Sequence, residues 1–371
     1  MSRMERVRAT FARQETDRVG LYDLMLSDPC IEHFTGRYPP PGPEGAQLQA
    51  QAVDAMLDMA RGVGVAPATP AVIEYADGIV AQEDGFLVRV DRYWLMGYER
   101  KPFDSYAGAV AWAKKALARK RKWREKADLK AAAQSTQEEF RKLRAWMGQD
   151  PTVCCLRGSG TGLDELRAPL GLEYFSYMTA DCPGLISEML ELWTEQEVAT
   201  IHAVADPKLS PFALPYGDIA CKARLLHSPE WLRREFFPRL KRINDAYHQH
   251  GITCLFHSDG QLMDVMDDLI AAGIDGINPI ETVAGMDVGE VYRRYGDRIF
   301  LTGGIDMSQL LSRGSAEQVR SVCRKAVADA PRGYFMGSTT EIDNSAKLEN
   351  VLAMMEVALG ERPQPRPAGR A

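Results

Sequence analysis

Residues 253–281 read TCLFHSDGQLMDVMDDLIAAGIDGINPIE, and this stretch decides the fold. An apolar run of strand length, 253–256, ends in a polar turn and is followed by a helical pattern over 261–272. A second apolar run, 276–280, then ends at Glu281. A strand, a helix and a further strand in this order predict a βαβ unit with parallel strands.

The same unit recurs along the C-terminal half of the chain. Further strand-length runs lie at 153–156, 212–215, 299–302 and 333–336. Further helices are predicted at 229–250, 286–295, 315–329 and 347–359. Short strands alternating with helices, each strand ending in polar residues, predict an α/β fold of the (β/α)8 TIM-barrel type with its active site at those strand ends. A doubly wound sheet is the alternative, but no GxGxxG motif follows its first strand.

We expect one domain over 1–360. Residues 1–150 are predicted to form an N-terminal helical extension and the first, less regular barrel units, whereas 151–360 show clear βα units. The elements expected in the first part are helices over the first 20 residues and over 45–61, with short strand-like pieces within 72–98. The tail, 361–371, is rich in Pro and Arg and is predicted to be disordered.

Composition excludes several classes of protein. Apolar residues make up 45% and charged residues 26% of the 371 residues, which is typical of a globular protein. No apolar run approaches the roughly 18–20 residues of a membrane span, and the charged N-terminus lacks signal-peptide character, so we expect a cytoplasmic protein. The net charge of −6 gives no support to nucleic-acid binding. Cysteines without a CxxC pair predict free thiols.

A basic segment, residues 114–130, carries Lys or Arg at nine positions. One interpretation is a docking patch for an acidic partner. The other is a solvated helix face, which we favour because Glu125 and Asp128 dilute the positive charge.

Polar residues at the strand ends are the candidate site. His257 and Asp259 are two residues apart at a strand end, so their side chains point the same way. Other strand ends contribute Asp218, Glu281, Ser338 and Thr339. Such a cluster can bind a divalent metal, move protons, or close the barrel as a polar network. We take His257, Asp259 and Asp218 as candidate catalytic residues, and His257, Asp259 and Glu281 as candidate metal ligands.

Glycine-rich turns are predicted after two of the strands, at 158–162 and 303–304. They fit phosphate binding at a helix N-terminus, and they equally fit the tight turns that a βα unit needs.

Several segments together resemble the uroporphyrinogen decarboxylase superfamily, which includes the cobalamin-dependent methyltransferases. The C-terminal matching runs are HSDGQLMDVMDDLIAAGIDGINPIE (257–281), GMDVGEVYRRYGDRIFLTGGID (285–306) and GYFMGSTTEIDNSAKLENV (333–351). The upstream runs are GDIACKARLLHSPEWLRREFFPRLKRI (217–243) and MERVRATFARQETDRV (4–19). The resemblance implies a (β/α)8 barrel with an N-terminal helical extension, and it is weakest over 30–150.

Two motifs of that superfamily are altered here. Decarboxylases carry Arg-Gln-Ala-Gly-Arg-Tyr, whereas residues 33–38 read His-Phe-Thr-Gly-Arg-Tyr, so Arg37 stands for the second Arg and His33 replaces the first. One Arg is a poor anchor for a porphyrinogen with its many carboxylates. The methyltransferase branch binds zinc through His-x-Cys and a later Gly-Cys, but 257–259 read His-Ser-Asp and 337–338 read Gly-Ser. A harder His/Asp/Glu metal site remains open.

The resemblance implies two functions, and the basic segment leaves a third open. We favour methyl transfer that demethylates a small compound, with zinc in the barrel and a corrinoid carried by a partner protein. The alternative is a lyase that decarboxylates a porphyrinogen-like or aromatic acid without a cofactor. The third is a non-catalytic module that binds through the basic segment. The substrate-binding residues expected are Arg37, Arg157, Tyr216, Ser338 and Thr339. A homodimer is compatible with the sequence, and neither a nucleic acid nor a membrane is expected as a partner.

Overall fold

The computed structural model describes residues 1–63, 73–75, 79–82, 84–90 and 95–360, where strands and helices alternate along most of the chain. The strands are β1 Gly20–Asp23, β2 Met59–Ala60, β3 Ile73–Tyr75, β4 Ile79–Ala81, β5 Leu87–Val90, β6 Leu95–Arg100, β7 Val153–Cys154, β8 Gly158–Gly160, β9 Phe212–Tyr216, β10 Thr253–His257, β11 Gly276–Ile280, β12 Phe300–Ile305 and β13 Tyr334–Ser338.

The helices are α1 Arg3–Phe11, α2 Asp28–Thr35, α3 Pro43–Met56, α4 Tyr106–Arg121, α5 Trp123–Lys126, α6 Leu129–Trp146, α7 Leu163–Leu170, α8 Leu172–Asp181, α9 Pro183–Val204, α10 Pro229–Glu235, α11 Phe237–His248, α12 Met266–Ala271, α13 Val288–Tyr295, α14 Ala316–Asp329 and α15 Leu348–Leu359. Short 3₁₀ turns at Met263–Val265 and Thr282–Ala284 and a π-helical turn at Met307–Leu311 follow three of the strands.

A ring of parallel strands forms the centre of the protein. The nine strands of this sheet follow the order β7-β2-β1-β13-β12-β11-β10-β9-β8. The two ends of the order, β7 and β8, are consecutive in sequence, and residues 155–157 join them. The joining residues bond to both neighbours, because Cys155 N–H donates to Ala60 O and Leu156 N–H donates to Phe212 O. β7 and β8 thus share one position, and the ring is the (β/α)8 barrel that the sequence predicts.

Helix α1 closes the N-terminal end of the ring. Its Phe11 ring lies 4.7 Å from the Phe300 ring and 6.1 Å from the Phe212 ring, and both of these residues begin strands. The helix is held by the buried Asp58, whose carboxylate accepts from Arg6 and Arg18 at 2.7 Å each. Because this end is filled by aromatic side chains, the polar site lies at the opposite end, where the strands terminate.

An insertion between β2 and β7 carries a separate four-stranded antiparallel sheet, β3-β4-β5-β6, and helices α4 to α6. The basic segment belongs to this insertion and runs through α4, α5 and the start of α6 rather than along one helix. Lys114, Lys115 and Arg119 are exposed, whereas Lys120 Nζ lies 3.3 Å from the centre of the Trp193 ring. Most of the described positive charges therefore face solvent, while Lys120 and Arg121, which pairs with Glu188, hold the insertion against α9.

Two sequence predictions differ from the structure. The helix expected over 45–61 ends at Met56, and Met59–Ala60 form the buried strand β2, which is too short to show a period. Gly303 and Gly304 lie inside β12 with φ of +93° and +91° rather than in a phosphate-binding turn. A Cβ at Gly303 would lie 3.0 Å from Pro279 Cβ, so the glycine permits close contact with β11. The tail predicted over 361–371 lies outside the described residues. No helix in the described ranges is both long and apolar enough to cross a membrane.

Candidate active site

Three titratable side chains converge at the C-terminal ends of β9 and β10. One ligand atom from each of Asp218, His257 and Asp259 lies within 4.8 Å of the other two. His257 is the last residue of β10 and pairs in register with Tyr216, the last residue of β9. Asp218 and Asp259 each follow their strand by two residues. The parallel register therefore brings together the three candidate catalytic residues that the sequence predicts.

The imidazole of His257 is oriented from below by a polar pair on the next two strands. His257 Nδ1 lies 2.9 Å from Asn278 Oδ1, and Asn278 Nδ2 donates to Thr302 Oγ1 at 2.9 Å. Thr302 donates in turn to Ile277 O at 3.0 Å. This direction of donation leaves Asn278 Oδ1 as an acceptor, so the proton of the neutral imidazole is on Nδ1 and the lone pair on Nε2 faces the cluster.

Burial dominates the charge state of this site. It lowers the pKa of His257 to about 3, and the nearby Arg61 guanidinium acts in the same direction. Burial raises the pKa of Asp259 to about 7, and the carboxylates of Asp218 and Glu281 add to this rise. At neutral pH the imidazole is therefore an uncharged donor of a lone pair, and the Asp259 carboxyl can hold a proton.

A tight junction between two loops fixes the spacing of the carboxylates. Asp259 N–H donates to Asp218 Oδ1 at 3.3 Å, and Gly260 N–H donates to Glu281 Oε2 at 2.6 Å. Gly260 has φ of +95°, and a Cβ there would lie 2.7 Å from the backbone nitrogen of Cys221. Only glycine fits this close approach without strain. Glu281, which the sequence assigned to metal binding, is thus bonded to the loop that carries Asp259, and Asp218 takes its place in the three-residue group.

Helix α7 supports Asp218 from the side. Asp164 Oδ2 accepts from Asp218 N–H at 3.0 Å, and the Arg167 guanidinium bonds to both Asp218 O and Asp164. Burial raises the pKa of Asp164 to about 6, and Arg167 opposes this rise.

Ser338 and Thr339 bond within the barrel wall. Ser338 N–H and Oγ–H donate to the two carboxylate oxygens of Asp23, each at 2.7 Å. Thr339 Oγ1 accepts from Met307 N–H at 3.2 Å, which holds the start of the next helical turn. Burial raises the pKa of Asp23 to about 7, although the bonds from Ser338 oppose the rise. Ser338 therefore orients Asp23, a buried acid at the end of β1.

The other three residues predicted to bind substrate are each bonded to a glutamate. The pairs are Arg37 with Glu44, Arg157 with Glu197 at 2.7 Å, and Tyr216 with Glu165 at 2.5 Å. Arg37 lies between α2 and α3, with 62% of its side chain exposed. The structure does not group Arg37 or Arg157 with the Asp218, His257 and Asp259 cluster.

Sequence reasoning missed three residues of this site, namely Asp23, Arg61 and Asn278. Asp23 ends β1 and Arg61 follows β2, and both strands are too short to recognise. Asn278 left a usable signal, because it is a polar residue inside a buried strand. A polar side chain in such a run that faces the barrel interior needs a partner there, and His257 is its partner in register.

The residues of the cluster fit a divalent cation. One neutral imidazole and two carboxylates form a donor set that such ions accept. Asp259 Oδ1 is a buried carboxylate oxygen that has no hydrogen-bond partner among the described atoms, so it is free to coordinate. Orientation of a ligand histidine by a bond to its other nitrogen is also typical of metal sites, and Asn278 supplies it.

Titratable residues at the C-terminal ends of the strands occupy the position of the active site in (β/α)8-barrel enzymes. Residues 178–359 match the family model of uroporphyrinogen decarboxylase (URO-D). This range contains β9 to β13 and all three residues of the cluster. The superfamily resemblance is therefore confirmed.

A solved structure agrees on the fold. A methyltransferase from Methanosarcina mazei is similar over 97% of this chain and 99% of that chain, at 14% sequence identity and a TM-score of 0.67. A xylose isomerase-like TIM barrel protein from Mycobacterium smegmatis, in complex with magnesium, covers 68% of this chain and 89% of that chain, at 16% identity. Its TM-score of 0.34 is too low to support an argument. No curated protein matches the sequence.

Proposed function

We propose that this protein is a metal-dependent enzyme that removes a methyl group from a small methylated compound and passes it to a corrinoid on a partner protein. The observation that carries the proposal is the cluster of Asp218, His257 and Asp259, with ligand atoms within 4.8 Å of one another. The fold shared with the Methanosarcina methyltransferase over nearly the whole of both chains supports it.

The chain's own residues provide the binding site. His257 Nε2 and the carboxylates of Asp218 and Asp259 would hold the cation, and Asn278 keeps the imidazole in the tautomer that this requires. A bound divalent cation supplies Lewis acidity toward the heteroatom that carries the methyl group. In the reaction the bond between the methyl carbon and this heteroatom breaks, the electron pair stays on the heteroatom, and a reduced corrinoid outside this chain is the methyl acceptor.

Metal content and methyl transfer test the proposal together. The wild type should bind about one Zn²⁺ or similar ion per chain, and His257→Ala and Asp259→Asn should lose it. His202→Ala is the matched control. His202 is an exposed histidine on α9, and its hydrogen-bond partner is His250 rather than a residue of the cluster. Methylation of cob(I)alamin by a panel of methyl ethers, thioethers and methylamines, followed by absorbance, should fall at least 100-fold in His257→Ala. Equal metal content or equal turnover in the wild type and His257→Ala would overturn the proposal.

Decarboxylation is the second candidate, and one observation favours it. Asp23 and Asp259 are buried acids with pKa values raised to about 7, so either can deliver a proton to carbon at neutral pH. The carboxylates at the strand ends would repel a substrate with many carboxylates, which favours a monocarboxylic aromatic acid over a porphyrinogen. Release of CO₂ from such an acid without a corrinoid, lost in Asp259→Asn, would support this candidate over methyl transfer.

A further inference from the structure

Arg61 places a cation at the mouth of an otherwise acidic barrel. It follows β2 directly, and its N–H donates to Asp23 O at 3.1 Å. Met59, two residues earlier, packs inside the barrel with Tyr22 and Leu255. Because residues two apart on a strand point the same way, the Arg61 side chain is directed toward the mouth above them.

The surroundings of Arg61 agree with this position. Its charge acts to lower the pKa values of His257 and Asp259, at the end of β10, and of Glu341, which follows β13. The guanidinium is partly exposed, and within the described ranges no carboxylate oxygen lies within the 4.0 Å of an ion pair. Arg157 is different, because Glu197 holds it at 2.7 Å. Arg61 therefore has donors to offer to a ligand.

Tyr22 supplies a second, independent donor beside Arg61. Its side chain is 2% exposed, and its buried hydroxyl has no hydrogen-bond partner in the part of the chain that the structure describes. Tyr22 pairs in register with Met59, so it lies on the strand next to Arg61 and one layer below it. Burial raises the pKa of Tyr22, so the phenol stays protonated and its O–H can donate to an acceptor that enters the barrel.

We infer that Arg61 and Tyr22 form a subsite for the carboxylate of a small monoanionic substrate. The guanidinium fork offers only donors and the phenol O–H offers one more, which suits a carboxylate oxygen pair. The carboxylates of Asp218, Asp259 and Glu341 nearby disfavour a ligand with two or more negative charges.

The inference deepens the proposed function, since it gives the substrate an anionic end bound by Arg61 and a methylated end directed toward His257. The carboxylate subsite itself does not depend on methyl transfer. It also replaces Arg37 and Arg157, which are bonded to glutamates, as the carboxylate anchor of this chain.

Binding of methoxyacetate and of its neutral analogue methoxyacetamide tests the subsite by ligand-observed NMR. EDTA is present and corrinoid is absent, so neither a metal-bound carboxylate nor a failure of methyl transfer can affect the result. The wild type should bind methoxyacetate at least tenfold more tightly than the amide. Arg61→Gln should abolish this preference, and Tyr22→Phe should reduce it about threefold or more.

Two controls separate binding from folding. Arg233→Gln removes a surface arginine paired with Asp268 and should leave the preference unchanged. Tyr22→Phe should melt at or above the temperature of the wild type, because it removes a hydroxyl without a partner. The inference is overturned if the wild type fails to bind methoxyacetate or binds both probes equally, or if Arg61→Gln keeps the preference. Tighter binding of inorganic phosphate or methanesulfonate than of methoxyacetate would overturn the assignment to a carboxylate.

Discussion

Asn278→Ala should weaken both the fold and the cation site, because Asn278 connects them. The side chain is 2% exposed, accepts from His257 and donates to Thr302. Its removal leaves the His257 Nδ1–H buried without an acceptor, which costs about 1–3 kcal/mol. A small cavity raises the expected loss of unfolding free energy to about 2–4 kcal/mol. The freed imidazole can adopt the other tautomer, so affinity for Zn²⁺ should fall about 10–100-fold.

Urea unfolding and calorimetric titration with Zn²⁺ measure the two effects separately. Thr302→Val is the matched variant, because it breaks the bonds below Asn278 and leaves the bond between Asn278 and His257 in place. Both variants should be destabilised, but Zn²⁺ affinity should fall much more in Asn278→Ala. If Asn278→Ala binds Zn²⁺ like the wild type, the imidazole is not oriented as argued here.

Three further predictions concern pH and backbone geometry. Burial lowers the pKa of His227 to about 4 from 6.5, so the unfolded chain takes up a proton first and stability is lost as pH falls between these values. Urea melts at pH 7 and at pH 4.5 give the fall in unfolding free energy between the two pH values. For His227→Phe, which can keep the ring contact with Trp231, this fall should be roughly 1–3 kcal/mol smaller than for the wild type. Equal falls would refute the prediction. His248 has the opposite sign: its bond to Asp275 at 2.8 Å raises its pKa above 6.5, so its contribution is complete below pH 6.5 and is lost as pH rises through the folded pKa. His248→Gln should flatten stability in that range, and an unchanged slope would contradict the assignment. Gly260→Ala should destabilise the protein by about 2–4 kcal/mol and reduce Zn²⁺ affinity, because its Cβ would lie 2.7 Å from neighbouring backbone atoms. A variant that melts and binds Zn²⁺ like the wild type would show that the two loops can move apart without cost.

The regular part of the barrel could be predicted because its strands are long enough to show a pattern. β10 and β11 end within one residue of the predicted positions, and polar residues mark both ends. By contrast, β2 has two residues and was included in the preceding predicted helix. The stretch that forms β7 and β8 was predicted as one strand end, and its pairing with both β2 and β9 is a property of the closed ring rather than of local sequence.

The same difference explains which site residues were found. His257 and Asp259 could be recognised because they follow a clear apolar run, and Asp218 because it follows another. Arg61 was within a predicted helix, so its position at the mouth could not be deduced. Free and bonded arginines also have the same appearance in a sequence, and only the structure shows that Arg157 is already paired with Glu197.

Two unpaired polar atoms in the barrel argue that the mouth is built for ligands as well as for stability. A buried donor or acceptor without a partner costs about 1–3 kcal/mol. Near the mouth, Tyr22 Oη and Asp259 Oδ1 are both in this state within the described structure. Phenylalanine in place of Tyr22 and a smaller side chain in place of Asp259 would remove the cost. At the closed end of the same ring, the buried carboxylate of Asp58 is bonded to two arginines. A donor and an acceptor left open in this part of the barrel are best explained by a substrate and a cation that complete their bonds.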